Sequence, residues 1–252
     1  MSSKDKLKRF KENESFTSLY QPSTEEVLGN DYFLKGKWCG EVFKNANPIV
    51  LELGCGKGEY TVALSQMRTD KNFIGVDIKG ARMWKGAKFA HENNLPNVAF
   101  LRTRIEFIES CFSEGEVSEI WITFPDPQLK KAKKRLTSPL FLERYRKFLK
   151  EDGVVHLKTD SRFLHEYTKA LAEQNELPVI ECNNDIYGSE RADEILSIKT
   201  FYESTYLSWG LPITYISFRL QKDSASRRPL VEPQWDADYW REFEQQGRPA
   251  AL

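Results

Sequence analysis

The sequence predicts an α/β protein built on a doubly wound, mostly parallel sheet of seven strands. From Pro48 onward short apolar runs alternate with longer amphipathic stretches. The runs are close to continuously apolar, as strands covered on both faces are. A glycine-dense turn joins the first run to the stretch behind it, and such turns sit at the carboxyl ends of parallel strands.

In chain order, the runs Ile49–Leu53, Phe73–Ile78, Val98–Leu101, Ile120–Phe124 and Val154–Leu157 are the buried strands. Helices are expected over Glu59–Gln66, Ala81–Glu92, Glu106–Cys111, Pro139–Leu149 and Ser161–Gln174. This alternation requires right-handed crossovers and a Rossmann-type arrangement. Val179–Cys182 and Thr214–Leu220 add two strands, flanking a helical stretch near Ser197–Trp209. Thr214–Leu220 alternates polar and apolar residues, the pattern of a strand near an edge. One domain is expected over 48–222, with an N-terminal extension over 1–47 and a C-terminal tail over 223–252.

The chain has 252 residues, 40% hydrophobic and 29% charged, enough to bury one substantial core. Lys and Arg number 37, as do Asp and Glu, so net charge points to no polyanionic partner. The distribution of charge matters more. Lys4, Lys6, Lys8, Arg9 and Lys11 cluster at the start, and Lys130, Lys131, Lys133, Lys134 and Arg135 form a second basic run. Such a run binds phosphates locally or is a solvated loop. Cys39, Cys55, Cys111 and Cys182 are scattered without C-x-x-C spacing, so neither a disulfide framework nor a metal site is expected. With no leader-like or membrane-length apolar stretch, the expected compartment is the cytoplasm.

Glu52-Leu53-Gly54-Cys55-Gly56-Lys57-Gly58 follows directly on the first strand. Glycines here permit positive φ and let a ligand come close to the backbone. A dinucleotide fingerprint is G-x-G-x-x-G. In this chain the third glycine comes one residue early and an acid precedes the loop, which favours a different ligand. Asp77 closes the second strand, where a carboxylate can accept both hydroxyls of a ribose. The fourth strand runs into Phe124-Pro125-Asp126-Pro127, whose prolines hold Asp126 in a stiff turn. A turn-forming Asp is the bland alternative. For Asp160 that alternative is a helix cap, and for Thr200 and Glu203 a capping box.

Taken together, the Glu52–Gly58 loop, Gly75-Val76-Asp77, Phe124–Pro127 with its basic run, Lys158-Thr159-Asp160 and Thr200-Phe201-Tyr202-Glu203 resemble the bacterial tRNA (guanine-N7-)-methyltransferases, from about Asn47 to Leu220. The resemblance implies an S-adenosylmethionine-dependent enzyme, working without a metal, that methylates N7 of a guanine in the variable loop of tRNA. It implies that Glu52, Gly54, Gly56, Gly58, Asp77, Arg104 and Asp126 meet the methyl donor, with Asp126 also catalytic. Lys130, Asp160, Thr200, Phe201, Tyr202 and Glu203 would meet the substrate. Arg104 stands where the family carries Asp or Asn, Gln128 where it often carries Trp, and the basic run is shorter than usual. The competing reading is a methyltransferase for an exocyclic base nitrogen, whose motif has two consecutive prolines after the acid. Partners expected are tRNA and at most a second copy of the chain, with no membrane.

Overall fold

The computed structural model describes residues 3–221 and 228–246. Parts of the expected extension (1–2), domain (222) and tail (223–227, 247–252) lie outside the described residues. The fold is α/β, with eight strands in the sheet order β1-β4-β3-β2-β5-β6-β8-β7. The chain divides into two compact parts, residues 1–120 and 121–252.

The first part opens with α1 (Ser3–Asn13), β1 (Leu19–Tyr20) and α2 (Thr24–Val27), then a π-helical turn over Trp38–Phe43. β2 (Ile49–Leu53), α3 (Glu59–Met67), β3 (Asn72–Asp77), α4 (Gly80–Glu92) and β4 (Val98–Arg102) follow. β2, β3 and β4 pair in parallel, with Leu51 opposite Ile74 and Gly75 opposite Phe100. β2 is buried at all five positions, including Glu52, as a strand covered on both faces must be.

β1 is the eighth strand, missing from the expected seven. It pairs Leu19 with Phe100 and Tyr20 with Leu101. Two residues carry no periodicity, so only the free edge of β4 makes them a strand. Residues before Pro48 also supply core: Phe16 and Leu19 pack with Val62, Met83 and Phe100. Trp38 is fully buried and donates its indole N–H to the Cys111 carbonyl at 2.9 Å, the partner a buried tryptophan needs.

The second part contains α5 (Pro139–Arg146), β6 (Leu149–Thr159), α6 (Arg162–Gln174), β7 (Val179–Asn183), α7 (Phe201–Ser208), β8 (Thr214–Leu220) and α8 (Ala237–Gln246). β5 (Val117–Thr123) straddles the division between the parts. β8 runs antiparallel to both β6 and β7, placing Leu157 opposite Ile216 and Cys182 opposite Ile216. The expectation of a position near an edge for Thr214–Leu220 holds, since only β7 lies outside it. β8 is buried at six of its seven positions, and β7, with Val179 and Ile180 exposed, takes the edge. The buried polar residues of β8 are Thr214 and Ser217, and Arg219 is its one exposed residue. Thr214 answers its burial by donating to the Thr159 carbonyl at 2.9 Å.

Candidate active site

The glycine loop is organised by two carboxylates. Gly58, the cap residue of α3, has no side chain to satisfy the first turn of that helix. Glu52, 3% exposed, does so from six residues upstream: its Oε2 accepts the Thr61 amide at 2.8 Å and is also bonded to the Thr61 hydroxyl. A carboxylate at a helix N-terminus is favoured by both hydrogen bonding and the helix dipole. Asp77, at the end of β3, accepts the Gly56 amide through Oδ2 at 2.9 Å and the Lys79 amide through Oδ1 at 2.7 Å. The amides of Gly54 and Cys55 go to the Val76 carbonyl, and that of Gly58 to the Cys55 carbonyl.

Gly54 and Gly58 differ in purpose. Gly54, at φ +81°, has no atom within 4 Å of where a Cβ would stand, so its face is open to a ligand. Gly58, at φ +71°, would drive a Cβ to 2.5 Å from the Phe100 ring and 3.3 Å from Gly86. It is glycine so that α3 can approach β4 and α4. The charge at the loop is negative: burial, then the charges of Glu52 and Asp77, push the Cys55 thiol well above its ordinary range. Arg104 is exposed just before a 3₁₀ turn, its guanidinium 3.5 Å from Glu106 and 5.8 Å from the Phe107 ring centroid.

In the second part, Asp126 is exposed in the expected turn, and its Oδ1 accepts the Gln128 amide at 3.0 Å. The turn is not simply extended at its entrance. Phe124 has φ +48° and so does Gln128, left-handed conformations that cost a bulky residue about 1–2 kcal/mol. A residue before proline prefers extended backbone. Phe124 is held otherwise because its amide donates to the Lys158 carbonyl at 2.9 Å.

The capping explanations for Asp160 and for Thr200–Glu203 come out differently. Ser161 caps α6, its Oγ accepting the Leu164 amide at 3.1 Å, so Asp160 is not the cap. Thr200 and Glu203 do form a capping box on α7. Glu203 is completely buried: Oε2 accepts the Thr200 amide at 3.3 Å, while Oε1 meets Lys158 Nζ and the Tyr187 hydroxyl, each at 2.7 Å. Between them Phe201 and Tyr202 are exposed by 59% and 41%. That tetrad thus presents two aromatic rings and hides its polar ends. Tyr187, Thr61 and the left-handed Phe124 were not among the expected site residues. No local pattern marks them, since each acts on a partner distant in sequence or through backbone conformation.

Lys130, Lys131, Lys133 and Lys134 are exposed, as a phosphate-binding run and a solvated loop both require. Arg135 departs from that expectation. It is 4% exposed, 4.8 Å from the Phe163 ring centroid and 4.3 Å from that of Tyr167, and 3.7 Å from Glu232. It fastens the tail to α6 and takes no part in the exposed run.

A family model described as "Putative methyltransferase" matches residues 46–215. A tRNA (guanine-N(7)-)-methyltransferase of Christiangramia forsetii is 57% identical over 224 residues, 88% of this chain and 100% of the relative. Its counterpart in Bacteroides thetaiotaomicron is 54% identical over 233 residues, 92% of each chain. Among solved structures, a mutant 16S rRNA (adenine(1408)-N(1))-methyltransferase from Catenulisporales acidiphilia with cosubstrate SAM matches at TM-score 0.52 and 14% identity, covering 77% of this chain and 93% of that one. That last likeness is one of fold.

Proposed function

The chain belongs to the tRNA (guanine-N(7)-)-methyltransferase family, and from that premise we propose that it transfers a methyl group from S-adenosylmethionine to N7 of a guanine in tRNA. The observation that carries the choice of donor is the commitment of the loop amides. Glu52 takes the Thr61 amide and Asp77 that of Gly56, the kind of donors a dinucleotide's pyrophosphate would need. Two carboxylates beside the loop repel a pyrophosphate and favour the cationic sulfonium and ammonium groups.

Gly54 and Gly56 give the donor access to the backbone, and Gly58 packs the loop in place. Asp77 has lone pairs left beyond its two amide bonds, for the ribose hydroxyls. Glu52 sets the loop through Thr61 and supplies negative charge. Arg104 can donate to an adenine ring nitrogen but cannot accept from the amino group.

The donor supplies an electrophilic methyl on sulfur. Guanine N7 brings a free lone pair at neutral pH, so no base has to remove a proton first. The N7–carbon bond forms as the carbon–sulfur bond breaks, sulfur keeping its electron pair as a thioether. The protein's task is alignment, with reacting atoms about 3–3.5 Å apart. Asp126 accepts the N–H edge of the base and offsets the positive charge that methylation leaves on the ring. Phe201 and Tyr202 offer flat surfaces for an unstacked base, with Asp160 and Lys130 completing the acceptor contacts. Lys130, Lys131, Lys133 and Lys134 contact phosphates, which makes affinity fall with salt. Among the described residues no helix is long and apolar enough to cross a membrane.

The test is to incubate the protein with labelled S-adenosylmethionine and unmodified tRNA and map the modified atom. Label at N7 of a variable-loop guanine is expected. Label on an exocyclic nitrogen, or none, overturns the reading.

A further inference from the structure

Among the described residues one lysine side chain is completely buried. Lys158, at 0% exposure, faces Glu203, also at 0%. Its ammonium has three N–H donors, and three acceptors surround it: the carbonyls of Leu196 at 2.7 Å and Ile198 at 3.0 Å, and Glu203 Oε1 at 2.7 Å. Two of these belong to the segment leading into α7, and the third to its capping box. The backbone of the same residue acts in the other direction, its carbonyl receiving the Phe124 amide at 2.9 Å. That bond holds the left-handed residue at the entrance to Pro125-Asp126-Pro127.

For stability alone such a pair is a poor choice. Removing two charges from water costs more than their attraction commonly returns, and apolar residues of similar volume often do as well. What the pair provides is direction. An ammonium with three fixed acceptors admits one placement of the Leu196–Glu203 segment, where an apolar contact would let it slide.

We propose that Lys158 is a positioning residue for the acceptor guanine, setting the Phe201–Tyr202 rings through its ammonium from the strand whose main chain receives the Phe124 amide. This rests on the reading above that those groups receive the base. The donor loop is built from residues 52–77 and should not sense the change.

The test compares wild type, Lys158→Met, Lys158→Met/Glu203→Gln and Tyr187→Phe. Wild-type methylation of tRNA is the control for the reading itself; without it that reading fails, whatever the variants do. Given that control, Lys158→Met should lower kcat on the order of 10²-fold, the loss that misplacement of about 1 Å produces. Calorimetric affinity for S-adenosylhomocysteine should stay at the wild-type value. The double variant leaves no buried carboxylate unpaired, so it should fold at least as well while showing the same loss in kcat. Tyr187→Phe, which keeps the ion pair, should lose only a few-fold. A folded Lys158→Met or double variant with wild-type kcat overturns the proposal. So does equal loss of donor affinity and kcat, or failure of both lysine variants to fold, since Lys158 would then serve the fold alone.

Discussion

The Glu52–Asp77 glycine loop and the Phe124–Glu203 segment are assembled on different principles. Around Glu52–Asp77 the geometry is fixed by several local contacts: parallel strands in register, the three glycines of the loop, and two carboxylates that accept nearby amides. Around Phe124–Glu203 it is fixed by one buried side-chain pair that joins positions 45 residues apart in numbering, Lys158 and Glu203. A site held by several local contacts spreads its support over many residues. One hung on a buried charge should fail when either charge is removed.

The largest expected effect comes from the Phe124–Glu203 segment. Asp126→Ala should lose on the order of 10²-fold or more in turnover, with donor affinity unchanged in calorimetry. Wild-type turnover would remove Asp126 from the chemistry. Acid sensitivity should also arise in this part. Burial, and next the charge of Arg162, push the His165 imidazole down to about 4 from 6.5. Its folded value lies below its unfolded one, so the stability it confers is present above pH 6.5 and drains away as pH falls toward 4. The loss reaches roughly 3 kcal/mol. Thermal melts of His165→Gln should show a flatter acid limb; an unchanged limb would place the sensitivity elsewhere.

In the glycine loop, Gly58→Ala should destabilise by about 1–3 kcal/mol through collision with the Phe100 ring. Gly54→Ala, with open space around it, should cost about 1 kcal/mol of backbone strain and instead weaken donor binding. Equal melting temperatures for the two variants would dissolve the distinction between them. The smallest effects belong to the basic run. Lys133→Ala/Lys134→Ala should reduce the slope of log affinity for tRNA against log salt by about 0.7–0.9 for each phosphate that is no longer neutralised. Arg135→Ala should leave the slope alone and lower the melting temperature, because its guanidinium is buried against Phe163 and Tyr167. A slope change in Arg135→Ala would return that residue to the phosphate grip.

These contrasts also separate what was legible in the sequence from what was not. Strands β2 to β4 and helices α3 and α4 were readable because they obey local rules: apolar runs of strand length, amphipathic stretches, and glycines at the turn between them. The capping box of α7 was readable for the same reason, its two residues being one turn apart. β1 escaped because pairing with β4 creates it, and the depth of β8's burial because Thr and Ser keep an exposed look when buried. Arg135 carried the same charge as its exposed neighbours, and nothing in the run announced that two rings from α6 and a tail carboxylate would enclose it.

By itself the sequence determined the α/β class, the position of the glycine loop and the chemistry its residue types can support, because hydrophobic periodicity and glycine spacing act over a few residues. Only the tertiary structure decided that Glu52 caps a helix it does not belong to, that Phe124 is left-handed, and that Lys158 faces Glu203. Each depends on where a distant partner is carried by the fold, and contacts at that range leave no periodic trace in the chain.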